Sequence, residues 1–264
     1  MNGIRTKDLV AGLAQDAIVP SFQPLVDLRS GQVLGAEILA RWIRPDGKRI
    51  SPNVFVPLAE RAGLIGQLTE QILLRALAAA SNLPSQLSLS LNVSPLQLQE
   101  PSLPELIARV AKETRFDLSR LTVEITESAL LKNVMQAKAI ADDLKALGMK
   151  LSLDDFGTGY SSLSQLQMLP FDELKVDRSF VATMCSRPES RKIVANVIGL
   201  GRSLGLRTVA EGVENIAQAE MLRALGCEVA QGRLYGKALL VPDLGTSLLS
   251  KHKPAKLLEI VSEI

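Results

Sequence analysis

Leu121-Thr122-Val123-Glu124-Ile125-Thr126 sets three aliphatic side chains against two threonines and a glutamate in strict alternation. Side chains of a β-strand point to opposite faces in turn, so this segment is apolar on one side and polar on the other. Three more segments repeat it. Leu87, Leu89, Leu91 and Val93 alternate with Ser88, Ser90 and Asn92; Met149, Leu151 and Leu153 alternate with Lys150, Ser152 and Asp154. Leu174 and Val176 alternate with Glu173, Lys175 and Asp177. Strands of an ordinary parallel sheet are covered on both sides and are apolar on both faces. A closed sheet accounts for the difference: apolar faces meet outer helices, and polar faces meet one another inside. Each polar face carries a carboxylate, amide or lysine at or near the strand's C-terminal end, where (β/α)8 barrels build their active sites.

The segments between these strands have helical periodicity, over about 64–81, 103–115, 135–147, 190–204 and 215–225, the last capped by Asn215. Three share one ending: Ala146-Leu147-Gly148-Met149, Ser203-Leu204-Gly205-Leu206 and Ala224-Leu225-Gly226-Cys227. A glycine just past a helix supplies the left-handed residue that turns the chain into a strand. Asn92, Glu124, Asp154, Lys175, Glu211 and Gln231 are separated by 32, 30, 21, 36 and 20 residues. One βα unit of a ~250-residue barrel takes about 31, so successive units deliver these groups to one mouth. An open doubly wound sheet would spread them along an edge. The expected fold is α/β, a (β/α)8 barrel of the TIM type.

Composition removes several chemistries. The 264-residue chain has one histidine, His252, far from any other candidate group, which excludes His-rich zinc sites, Ser-His-Asp triads and Cys-His nucleophiles. Thirty basic against 28 acidic residues give a net charge of +2, without the basic excess of a DNA-binding scaffold. Cys185 and Cys227 lack CxxC spacing and read as thiols of a reducing compartment. No stretch reaches the ~18 apolar residues of a membrane span, and no signal-peptide pattern is present. The chain reads as cytoplasmic, or as the soluble module of a larger protein. With no linker or low-complexity tract, residues 1–245 read as one domain and 246–264 as its helical extension.

A further strand, Gly35 to Trp42, places Glu37, Leu39 and Arg41 on one face. Glu37, Glu124, Asp154, Asp155 and Glu211 thus bring five carboxylates to the mouth beside Asn92. Like charges in a low-dielectric mouth repel, so a bound cation is the economical explanation. All-oxygen ligands suit Mg²⁺, Mn²⁺ or Ca²⁺ and disfavour zinc. Adjacent Asp154 and Asp155 let the first bridge two ions while the second serves one, the layout of a two-metal phosphodiesterase.

Eight ordered segments over about residues 8–245 carry a resemblance. They are Phe22-Gln23-Pro24, Glu37-x-Leu39-x-Arg41-Trp42, Asn92-Val93-Ser94, Glu124-Ile125-Thr126-Glu127, Asp154 to Gly159, Leu174-Lys175-Val176-Asp177, Glu211-Gly212-Val213-Glu214 and Gln231-Gly232. The chain resembles the EAL domain family of cyclic di-GMP-specific phosphodiesterases. That resemblance implies a barrel with an antiparallel first strand, two Mg²⁺ or Mn²⁺ per site, and cleavage of cyclic di-GMP to linear pGpG. It implies that Glu37, Asn92, Glu124 and Asp154 hold the first ion, and that Asp154, Asp155 and Glu211 hold or orient the second. Lys175 would contact the attacking water, Arg41 a phosphate, and Gln231 the substrate site; Gln23, Leu39 and Asp177 would line the nucleotide pocket. The base is Lys175, with its pKa depressed beside two cations, or Glu211, or the cations themselves generate the nucleophile. Glu127 and Glu214 would anchor the loop 155–159. A homodimer is expected, with regulation from dimerisation, a partner or further domains.

Two other patterns fail on context: Asp155-Phe156-Gly157 lacks a kinase catalytic loop, and Gly199-Leu200-Gly201 lies within a helical pattern. Three positions depart from the family. Ile38 stands where alanine is usual and should affect packing only; Ala238 replaces a proline; Arg233 replaces an aromatic residue and alters affinity or faces solvent. Trp42, Met168 and Phe171 read as core or pocket wall. The alternative function is a catalytically silent cyclic di-GMP receptor, which would normally have lost a metal ligand.

Overall fold

Asn92 pairs with Glu124 and Glu124 with Ser152 across parallel strands of the computed structural model, so the polar faces lie side by side. The structure describes residues 4–81, 83–131, 133–157, 166 and 168–241. In chain order these form α1 (Thr6–Ala14), β1 (Ile18–Asp27), β2 (Val33–Ile43), β3 (Arg49–Ile50), α2 (Pro52–Arg61) and α3 (Ile65–Ala80). Next come β4 (Ser88–Val93), α4 (Leu103–Thr114), β5 (Leu121–Thr126), α5 (Val134–Ala146), β6 (Lys150–Phe156) and β7 (Glu173–Val176). Last are α6 (Arg178–Thr183), α7 (Pro188–Leu204), β8 (Arg207–Ala210), α8 (Ile216–Leu225), β9 (Val229–Gln231) and β10 (Leu239–Leu240).

β2, β4, β5, β6, β7, β8 and β9 run parallel in that order. β1 closes the ring, antiparallel to both β2 and β9, so the expected barrel with an antiparallel first strand is present. Gln23 pairs with Glu37, and Leu25 with Gln231, bringing both ends of the chain to one seam. β3 and β10 are short antiparallel additions to β2 and β1.

The alternation is obeyed. Leu89, Leu91, Val123, Ile125, Leu151 and Leu153 are buried in one cluster with Leu73, Ile107 and Ile140 of the outer helices. Each such side chain contributes roughly 1.5–3 kcal/mol on burial. Ser90, Thr122, Glu124 and Ser152 are buried on the opposite, inner face. Gly148, Gly205 and Gly226 all have left-handed φ, +90°, +70° and +85°, and end α5, α7 and α8 as the repeated junction requires.

Trp42 is core, edge-on to Phe55 with ring centroids 5.8 Å apart, and Phe171 is buried. Ile38 is buried in the main cluster. Met168 is 37% exposed and so is not core. Among the described residues no helix is long and apolar enough to cross a membrane. The expected helix over 246–264 and the loop residues Thr158 and Gly159 lie outside the described residues.

Candidate active site

Lys175 is the centre of the mouth and is 1% exposed. Its Nζ lies 2.7 Å from Glu124 Oε2 on β5, 2.5 Å from Glu211 Oε1 just after β8, and 3.5 Å from Asp154 Oδ1 on β6. Burial disfavours its charge, but Glu124, Glu211, Glu37 and Asp154 outweigh that and hold its pKa well above the ordinary lysine value. The protein's own charges thus act against the depression expected of a catalytic base at this position. Glu124 moves upward by burial, opposed by Lys175. Glu211 is pushed up to about 7 by burial, against the pull of Lys175 and with help from Asp154 and Glu37.

Glu37 forms the second half of the site. Asn92 Nδ2 donates to its Oε1 at 2.6 Å, and Gln231 Nε2 donates to its Oε2 at 2.5 Å. Gln231 Nε2 also donates to Gln23 Oε1 at 3.0 Å, which orients the amide and leaves Gln231 Oε1 buried without a partner. Four strands therefore fix one carboxylate. Leu39 and Arg41 follow on the same face of β2 and line a cavity of ≈ 470 Å³ that opens beside Glu37 and Asn92. Burial and the neighbouring Arg49 lower the Arg41 pKa against the pull of Glu37.

β6 ends in an irregular register between Leu153 and Phe156. Asp155 has φ +58°, a left-handed conformation that costs on the order of 1 kcal/mol or more for a non-glycine residue and clusters at functional sites. Its N–H donates to Asp154 Oδ1 at 2.9 Å, turning the paired aspartates toward Glu211. Oxygens of Asp154, Asp155 and Glu211 lie within 4.8 Å of one another, a donor set that fits a hard divalent cation. Burial raises the Asp155 pKa, and Asp154 and Asp177 raise it further. Glu127 Oε2 accepts from Gly157 N–H at 3.1 Å and so holds the start of the loop. Asp177 is buried and caps α6, accepting from Ser179 N–H at 3.0 Å and from the Ser179 hydroxyl.

The Glu214 carboxylate is largely exposed and lies 3.8 Å from the guanidinium of Arg233, also exposed. Of its two expected fates, Arg233 takes the solvent-facing one. Residues outside the expected set also matter. Ser94 donates its hydroxyl to Glu60 Oε1 at 2.5 Å, and its N–H meets Gln97 Oε1 at 3.3 Å, which Thr69 holds at 3.2 Å. Ser94 belongs to the Asn92-Val93-Ser94 segment, whereas Glu60, Thr69 and Gln97 gave no periodic signal.

The model of the EAL domain matches residues 6–238. This chain belongs to the EAL domain family. It is 44% identical over 238 residues to an uncharacterized signaling protein of Caulobacter vibrioides, covering 90% of this chain and 29% of that protein. It is 36% identical over 245 residues to the bifunctional diguanylate cyclase/cyclic di-GMP phosphodiesterase MucR of Pseudomonas aeruginosa, covering 91% of this chain and 36% of MucR. The solved PaMucR phosphodiesterase, in complex with c-di-GMP, superposes with a TM-score of 0.86 at 36% identity over 90% of this chain and 98% of that one. This EAL domain spans about a third of the length of these curated relatives.

Proposed function

We propose that this EAL domain hydrolyses cyclic di-GMP to linear pGpG in the cytoplasm, with two Mg²⁺ or Mn²⁺ ions in the mouth. One observation carries the reading. Glu37, Asn92, Glu124, Asp154, Asp155, Lys175 and Glu211 are all retained, and six strand ends converge them around a single ammonium. A silent receptor would be expected to lack one of them. Likeness over nearly the whole chain to a phosphodiesterase solved with c-di-GMP supports the choice of substrate.

In this proposal Glu37, Asn92, Glu124 and Asp154 hold one cation, and Asp154, Asp155 and Glu211 the other. When bound, such ions screen the diester's charge, acidify water and stabilise the attacking and leaving oxygens. Lys175, within reach of Glu124, Glu211 and Asp154, would contact the attacking water through Nζ. Arg41 meets a phosphate with its forked donors, Gln231 offers its free Oε1, and Gln23, Leu39 and Asp177 bound the nucleotide pocket. Glu127 steadies the loop that carries Asp155. Control through a homodimer, or through a partner or adjoining domains, belongs to the same proposal.

The test is purified protein with Mn²⁺ or Mg²⁺ and cyclic di-GMP, followed for pGpG. Metal-dependent appearance of pGpG is expected. Micromolar binding without turnover would replace the enzyme with a receptor.

A further inference from the structure

The inside of the barrel is filled unevenly one step below the carboxylates. A TIM-type barrel ordinarily packs its interior with bulky branched side chains. Along β8, β9 and β1 that holds, because Val209, Val229 and Leu25 form a small apolar cluster of their own. Along β4, β5 and β6 the corresponding places belong to Ser90, Thr122 and Ser152, all small and all buried. Each stands two residues before Asn92, Glu124 or Asp154 and so shares the inner face with it. Ser90 pairs with Thr122, while Ser152 lies between Glu124 on one side and the buried Glu173 on the other. Ser152 is wholly shut from solvent, yet its Oγ makes no hydrogen bond among the described residues.

A hydroxyl can both donate and accept, and one buried without a partner costs about 1–3 kcal/mol. Buried water is the ordinary partner of such a group where the walls are polar and there is space. Three small side chains on adjacent strands leave the space that branched ones would fill, and the neighbouring carboxylates supply acceptors. We infer that the barrel interior beneath the carboxylates binds an ordered water, which accepts from Ser152 Oγ–H and donates to Glu124. Lys175 already holds Glu124 Oε2 at 2.7 Å from the side of β7. The water steadies the same carboxylate from below, along β6. Resting on the reading of Glu124 as a cation ligand given above, Ser152 is a positioning residue for the cation site and acts through this water.

The experiment compares Ser152→Thr with Ser152→Val, two side chains of nearly one shape that differ in the hydroxyl. Isothermal titration with Mn²⁺ should find Ser152→Thr within about threefold of the wild type and Ser152→Val weaker by about tenfold. For cyclic di-GMP the same loss should fall on kcat and leave KM nearly unchanged. Crystals of the wild type should show a water within hydrogen-bonding distance of Ser152 Oγ, and crystals of Ser152→Val should lack it. Should Ser152→Val fail to fold, Ser152→Ala carries the comparison, since it removes the hydroxyl and adds no bulk. Equal Mn²⁺ affinity with and without the hydroxyl overturns the proposal, as does a crystal in which Ser152 Oγ bonds a main-chain carbonyl instead. Failure of the wild type to hydrolyse cyclic di-GMP overturns the phosphodiesterase reading alone, because the titration and the crystal do not depend on turnover.

Discussion

Lys175 Nζ lies 2.5 Å from Glu211 Oε1, and the lysine is shut almost wholly from solvent. The pair is one edge of a cluster in which an ammonium balances Glu124, Asp154 and Glu211 together. Removing one partner of a buried pair leaves uncompensated charge, typically at a cost of 3–5 kcal/mol. Lys175→Met should therefore lower the melting temperature of the cation-free protein by several degrees. Saturating Mg²⁺ or Mn²⁺ should recover much of that loss, because added positive charge replaces the ammonium. Equal losses with and without cation, by scanning calorimetry, would show that the lysine is not the charge that balances the cluster.

Glu37 is held by Asn92, and Glu211 by Lys175; the proposal assigns them to different cations. Glu37→Ala and Glu211→Gln should each lower kcat for cyclic di-GMP at least about 100-fold, the scale on which metal sites answer to their ligands. Isothermal titration should show weaker binding of Mn²⁺ by each. Either variant at wild-type turnover would break the ligand assignment.

Cation binding should depend on pH. The Glu211 carboxyl titrates at about 7 instead of near 4.5, so its proton competes with cations below neutrality. Its ionised form is the ligand, which makes affinity rise with pH and level off above 7. Mg²⁺ or Mn²⁺ should bind about tenfold more tightly at pH 8 than at pH 6. Calorimetric titration at the two values checks this, and Glu211→Gln should flatten the difference.

Gly232 follows Gln231 at the end of β9. A Cβ there would lie 2.1 Å from Val213 O and 2.3 Å from Val213 N, both backbone atoms. Neither can withdraw cheaply, because Val213 N–H already donates to Gln231 O at 3.0 Å. Gly232→Ala should cost about 2 kcal/mol or more and raise KM by displacing Gln231. Urea unfolding beside steady-state kinetics would test both halves.

The two cysteines should differ in reactivity. Cys185 is exposed, while Cys227 is buried and its thiol is pushed up to about 11 by that burial. A thiol reagent at pH 8 should modify one equivalent in the folded protein and two in denaturant.

Much of this architecture is written in the chain because a strand's polar face has only two places to go. The alternation at 121–126 and its three repeats forces the inner face of a barrel, and Gly148, Gly205 and Gly226 mark where helices stop. Most of the carboxylates were legible for the same reason, standing on or just beyond a strand's polar face. Glu60 was not, because it lies on a helix whose pattern reports only which side is covered. Its meeting with Ser94 spans 34 residues and depends on how α2 leans on the β4 segment. The surroundings of Glu214 were not legible either, since the motif does not say which way a residue after the strand turns. In the fold its side chain turns outward to Arg233, and only its N–H turns inward, to Gln218.

The seam at β1 has a consequence for biosynthesis. Gln231 reaches Gln23 and Glu37 across 208 and 194 residues of chain, and β9 can pair with β1 only after every other barrel strand has been made. Contacts of such separation form late, since the entropy of closing the long loop must be overcome before they contribute. A ribosome-bound fragment ending before residue 231 thus lacks the amide that orients Glu37. The site that Gln231 completes is therefore assembled only when the last barrel strand joins β1.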